Sequence, residues 1–111
     1  MSRDAVIVST ARTPIGKAYR GAFNNTYGAT LSGHAVEHAV ARSGLEPTEI
    51  EEVVLGCARP DGTTGGNIAR QAALRAGLPT DISALTVSRM CSSGLQAIAT
   101  AAQRIIVDWF P

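Results

Sequence analysis

Thr86-Val87-Ser88-Arg89-Met90-Cys91-Ser92-Ser93-Gly94-Leu95-Gln96 is the stretch on which the reading of this chain turns. A short β-branched segment ends, a cysteine follows at once, and an apolar helix begins that the pattern carries as far as Ile106. Ser93 and Gln96 stand at the Ser-x-x-Gln spacing of a capping box, which predicts a helix start close to the thiol. The positive end of that helix and its unpaired N–H groups then lie beside Cys91. They favour the thiolate and offer donors to an oxygen held there. That is the setting of a nucleophilic cysteine. The competing reading is a small buried hydrophobe at a strand end, the commoner fate of a free cysteine.

Upstream, Ala5-Val6-Ile7-Val8-Ser9-Thr10 is a β-branched run of the kind that forms a strand buried on both faces. A polar loop rich in Gly and Asn follows to about Gly28, long enough to suggest a functional or interface segment. Thr30 is the expected N-cap of a helix with Leu31, Ala35, Val36, Ala39 and Val40 on one side, stopped by Gly44. Thr48 and Glu51, after Pro47, are spaced for a second capping box over a single turn. Residues 52–57 read as a second strand. Asn67 is placed to cap a helix from Ile68 to about Ala76, closed by Gly77 and Pro79, and residues 84–88 read as the third strand. The order is β-α-β-α-β-α, which predicts an α/β fold with a parallel sheet and right-handed crossovers.

Composition is consistent with that fold and excludes several function classes. The chain has 111 residues, 45% of them hydrophobic and few aromatic, which suits one small domain of helices on a sheet. A net charge of +1 from scattered Lys and Arg gives no basic stripe for nucleic acid. No apolar run approaches membrane-spanning length, and the first residues do not read as a signal peptide. Two cysteines, Cys57 and Cys91, make no disulfide framework, so reduced thiols in a cytoplasmic protein are expected.

The last helix is apolar around most of its girth. Leu95, Ile98, Ala99, Ala102, Ile105 and Ile106 form one face, while Ala97, Ala101 and Val107 lie opposite. Three strands and two other helices cannot cover it, and Trp109 and Phe110 add bulk with nothing after them. The expectation is an oligomer formed through this helix or the front part of a larger protein.

Two other constellations are weighed against plain structure. His34-Ala35-Val36-Glu37-His38 fits the inverted His-x-x-Glu-His zinc motif, with Glu37 as base. The pattern is short and the chain has no further histidine, so a solvated helix face is the preferred reading and no metal is expected. The loop from Gly62 to Gly66 can present N–H groups to a phosphate, but it lacks P-loop and dinucleotide spacings. A turn into the next helix is preferred.

The residues around Cys91 go further. Val87 to Ile98 closely resembles the acyl-cysteine signature of the thiolases, the acetyl-CoA acetyltransferase family. Val6 to Lys17 resembles the family's opening strand and turn, and Thr63 to Ala73 resembles its second loop and helix. The ketoacyl synthases are similar in fold and share Cys-Ser-Ser, but Arg89-Met90 before the cysteine sides with thiolases. Cysteine elbows of the glutaminase type want Gly two residues either side, where this chain has Arg89 and Ser93.

The resemblance implies a set of expectations. Residues 1–111 would be the N-terminal fragment of a thiolase N-terminal domain, with about three parallel strands of a larger mixed sheet and no second domain. Cys91 would be the catalytic nucleophile, taking an acyl group from acyl-CoA or acetyl-CoA, while residues that bind substrate stay unassigned. Coenzyme A thioesters would be substrates, with no metal or redox cofactor. Full-length members imply a homo-oligomer, with no nucleic-acid or membrane partner. The family also uses a histidine and a second cysteine from motifs beyond residue 111. His34, His38 and Cys57 match neither, so the chain alone is expected to be inactive. A non-catalytic remnant that pairs with itself or with a complementary fragment is the alternative.

Overall fold

The computed structural model describes residues 3–108, so Trp109 and Phe110 lie outside the described residues. Helix α1 spans Gly28–Ser43, strand β1 Glu52–Gly56, helix α2 Ile68–Arg75, strand β2 Ser83–Val87 and helix α3 Ser93–Gln103. The last helix continues as a wider π turn over Arg104–Asp108. β1 and β2 pair in parallel, Glu52 opposite Ser83 and Gly56 opposite Val87, and α2 makes the crossover between them.

Successive strand residues point to opposite faces, and Val53 and Val54 divide the fold accordingly. Val53 packs with Val36, Val40, Ile50 and Ala76 around Ala73, Leu78 and Ile82, on the side of α1 and α2. Val54 instead borders a groove with Ala97 and Ala101 of α3 and Ile105 of the π turn that follows it. The sheet is therefore a thin middle layer between a helix pair and α3.

The core is concentrated in one stretch. Ile68, Ala69, Ala72, Ala73, Leu78 and Ile82 are buried, and from the rest of the described chain only Ala97 joins them as a buried hydrophobic. Alanines on α2 let α1 approach closely. At Gly33 an added Cβ would stand 2.8 Å from Arg75 Cγ and 2.9 Å from its Cβ. Polar ties then fix α2 to the connection that leads into β2. Arg70 donates from Nη1 to the Ile82 carbonyl at 2.9 Å and from Nη2 to the Thr80 carbonyl at 3.0 Å. Arg104 at the end of α3 closes the opposite end of the sheet on Glu52, with Nε to Oε2 at 2.7 Å.

The expected third parallel strand takes a different form. Residues 5–10 are extended but carry no ladder, and the sheet of the described residues has two strands. A β-branched run favours extended backbone without specifying a partner. Here the segment is anchored to α1 instead: the Ser9 hydroxyl donates to the Ala39 carbonyl at 2.5 Å, and Arg42 Nη1 donates to the Thr10 carbonyl at 2.9 Å. Val6, Ile7 and Val8 remain exposed.

Several helix boundaries also shift. The Tyr27 carbonyl accepts the N–H of both Thr30 and Leu31, so α1 starts before Thr30 and Thr30 lies inside its first turn. Gly44 ends the helix in the left-handed region at φ 77°, as its position suggested. The capping box falls on Glu46 and Glu49 rather than Thr48 and Glu51. Pro47 takes the first position of a 3-10 turn, and the Glu46 N–H donates to Glu49 Oε2 at 2.8 Å.

Candidate functional site at the Cys91 turn

Cys91 lies between the C-terminal end of β2 and the start of α3, and its residue is exposed. The strand ends are fixed first. The Cys57 N–H donates to the Val87 carbonyl at 2.9 Å, and the Ser88 hydroxyl donates to the Ala58 carbonyl at 3.2 Å. The chain then reverses within a few residues: the N–H of Ser92 reaches the Arg89 carbonyl and that of Ser93 the Met90 carbonyl, both at 3.1 Å. Met90 takes φ 49°, a left-handed conformation that costs a non-glycine residue about 1–2 kcal/mol.

Ser93 holds that turn. Its residue is only 3% exposed. Its Oγ accepts the Arg89 N–H at 2.8 Å and donates to the Met90 carbonyl at 2.7 Å, so one hydroxyl ties both sides of the strained residue. This corrects the capping-box expectation. Ser92 is the N-cap, it makes no side-chain cap bond, and Ser93 is the first helical residue. Gln96 faces the other way: its Oε1 accepts from Arg89 Nη1 at 2.8 Å and its Nε2 donates to Thr100 Oγ1 at 3.1 Å.

Gly56 sets how close α3 comes to the sheet. A Cβ there would sit 2.3 Å from both the carbonyl carbon and the oxygen of Ser93 and 2.6 Å from the Gly94 nitrogen. A glycine within a strand marks such a close approach, so this signal was present in the sequence. The partner residue was not, because nothing in the pattern pairs position 56 with position 93.

A second set of bonds orients β2 from the α2 side. Asn67, at φ 53°, donates from Nδ2 to the Ala84 carbonyl at 3.2 Å. Thr86 Oγ1 donates to Asn67 Oδ1 at 2.6 Å and accepts the Ala69 N–H at 3.0 Å. Asn67 thus stands at the N-cap of α2 as expected, but its side chain reaches the strand rather than capping the helix. The Gly-rich loop is equally committed to structure: Gln71 Nε2 donates to the carbonyls of Gly65 and Gly66 at 2.6 and 2.9 Å.

The other singled-out residues lie on other elements, the histidines on α1 and Cys57 directly after β1. His34 and His38 are exposed on α1, and Cys57 is half-buried beside a cleft bordered by Thr13, Leu31, Ala35 and Thr64. Among the described residues no three His, Cys, Asp or Glu side chains gather as a metal group, and no helix is long and apolar enough to cross a membrane. The Cys91 turn can therefore offer an accessible sulfur on a locked backbone, at the carboxyl end of a parallel strand and beside a helix N-terminus.

A family model described as thiolase, N-terminal domain, matches residues 5–109. Among curated proteins, a 3-ketoacyl-CoA thiolase of Bacillus subtilis (strain 168) is 43% identical over 105 residues, covering 95% of this chain and 27% of that protein. A 3-ketoacyl-CoA thiolase of Aeromonas hydrophila is 42% identical over 106 residues, 95% of this chain and 27% of its own length. One from Vibrio cholerae is 44% identical over 103 residues, 92% of this chain and again 27% of its own. The chain thus spans about a quarter of the length of these relatives.

Proposed function

The chain belongs to the thiolase family, by its match to the N-terminal domain, and on that premise we propose that Cys91 is the acyl-accepting nucleophile of coenzyme A thioester chemistry. The single observation that carries this reading is the exposed thiol on a turn locked by Ser93, with α3 beginning two residues later.

The Cys91 sulfur attacks the thioester carbonyl carbon of an acyl-CoA, and the carbonyl electron pair moves onto oxygen. The backbone N–H of Cys91 itself is the donor we assign to that oxyanion, since those of Ser92 and Ser93 are engaged by the Arg89 and Met90 carbonyls. Collapse expels the coenzyme A sulfur, which takes up a proton, and leaves the acyl group on Cys91. In the condensing direction a second acetyl-CoA loses a methyl proton and its carbon attacks the acyl carbon, freeing the Cys91 sulfur and giving a 3-ketoacyl-CoA. Thiolysis is the reverse, and 3-ketoacyl-CoA is the substrate class that the relatives' names carry.

In this family a histidine activates the nucleophile and a second cysteine acts as acid and base at the substrate carbon, both from motifs outside those matched here. We propose that the 111 residues alone take up an acyl group without turning over. No metal or redox group enters these steps. Two unpaired thiols suit a reducing compartment such as the cytoplasm.

Acetyl-CoA treatment followed by peptide mass analysis tests the nucleophile. The expected result is one acetyl group on the Cys91 peptide, absent from Cys91→Ser, with the Cys57 peptide unmodified. Failure to acylate a Cys91 that iodoacetamide alkylates readily would refute it. That outcome would support the second reading, a non-catalytic fragment that pairs through its apolar surface. Its observation is the exposure of Leu95 (73%) and Ile98 (59%) on α3. Sustained thiolase turnover by the purified chain would refute the proposal that it is inactive alone.

A further inference from the structure

α1 carries a feature that the chemistry at Cys91 leaves unused. His34 and His38 are both exposed and stand at i and i+4, the spacing that puts two side chains on one helix face. Their ring centroids are 4.3 Å apart and the ring planes are inclined by 49°. Two imidazoles that each bind one ion at about 2.1 Å and meet there at a right angle hold their centroids about 4.5 Å apart. The pair already has the centroid separation of a cis chelate.

The surroundings favour a cation with open coordination positions. No third His, Cys, Asp or Glu among the described residues completes a metal group, which leaves the other positions to water. Glu37 is exposed on the adjoining face of the helix, while the Arg42 guanidinium below is engaged with the Thr10 carbonyl. A centroid separation of 4.3 Å is nearer to the right angle preferred by tetragonal Cu²⁺ or Ni²⁺ than to the wider angle of tetrahedral Zn²⁺, which needs about 5.2 Å.

We propose that His34 and His38 form a bidentate surface site for a divalent transition ion of tetragonal preference, separate from the Cys91 turn. The ion spans one turn of α1 and stabilises the folded chain by mass action, raising its melting temperature by about 6 °C or more at ten times the dissociation constant.

Calorimetric titration of the full chain with NiCl₂ tests the site. The expected result is one ion per chain, with affinity at least tenfold weaker in His38→Ala. A respaced variant, His38→Ala with Ala41→His, keeps two histidines but sets them at i and i+7, and it should bind no better than the single-histidine variant. Residues 38 and 41 are both exposed, and a circular dichroism spectrum matching the unaltered chain qualifies the variants as folded. Equal affinity in the respaced variant, as binding through the thiols would give, overturns the proposal. So does a lack of Ni²⁺ uptake by the unaltered chain.

Discussion

Gly56→Ala is the most demanding test of how the thiol is positioned. The added Cβ would lie 2.3 Å from the carbonyl carbon and oxygen of Ser93, whereas non-bonded carbon atoms rest about 3.5–4.0 Å apart. The start of α3 must therefore retreat by about 1 Å or more. The obstructing atoms are main chain, so no side chain can rotate out of the way. The cost should reach the upper end of the overpacking range, about 3 kcal/mol. For a domain of this size that corresponds to a fall in melting temperature of about 12 °C or more. The retreat also pulls on Ser93, whose hydroxyl ties Arg89 to Met90 on either side of the turn.

Two readouts separate this from a generic loss of stability. Thermal melting followed by circular dichroism gives the energetic cost. Peptide-resolved iodoacetamide labelling, run well below the melting transition, gives the accessibility of Cys91 relative to Cys57. Gly94→Ala is the matched control, since a Cβ there meets nothing within 4 Å. In an exposed helical position it should be neutral or stabilise by up to about 1 kcal/mol. A Gly56→Ala chain that melts within about 2 °C of the unaltered protein and labels at the same rate would refute the close-approach argument.

Other substitutions probe the remaining supports. Ser93→Ala removes the acceptor for the Arg89 N–H and the donor to the Met90 carbonyl, and should cost about 1–3 kcal/mol in urea unfolding while changing the labelling rate of Cys91. Thr86→Val keeps the shape but leaves the Ala69 N–H without its acceptor in the core. A loss of about 1–3 kcal/mol is expected, and a loss below about 0.5 kcal/mol would count against the tie. The open flank of α3 should drive self-association, so Leu95→Gln with Ile98→Gln should raise the dissociation constant at least tenfold in sedimentation velocity. A concentration-independent monomer for the unaltered chain would contradict this.

Much of the architecture was legible because it rests on local signals. The runs at 52–57 and 84–88 held as β1 and β2, and the glycines at 44 and 77 ended helices, both at positive φ. Placement beyond the local window was harder to read. The run at 5–10 has the composition of a strand, yet pairing needs a neighbouring edge, and Ser9 and Arg42 hold the segment against α1 instead. Ser93 has the polarity of a capping residue, but its partner is not the one that its spacing to Gln96 indicates. Its hydroxyl turns back to Arg89 and Met90 because the backbone has already reversed there, a geometry that spacing does not encode. The apolar periodicity that runs to Ile106 does continue as helix, but after Gln103 in the wider π form that the pattern does not signal. At the site, the nearness of Cys91 to a helix start is legible in the local pattern, whereas the support from Gly56 depends on the packing of β1 against α3, which no local pattern encodes.

The concentration of core and polar ties within residues 65–87 has a kinetic consequence. The bonds from Asn67 to Ala84, from Thr86 to Asn67 and Ala69, and from Arg70 to Thr80 and Ile82 all join residues 10 to 19 apart. Loops of that length close readily, and the same stretch supplies most of the buried side chains, so it can assemble first as one cooperative unit. The approach of Gly56 to Ser93 joins far more distant parts of the chain and must wait for that unit. The turn that bears the thiol then docks after that unit, so its chemical readiness follows the formation of the core.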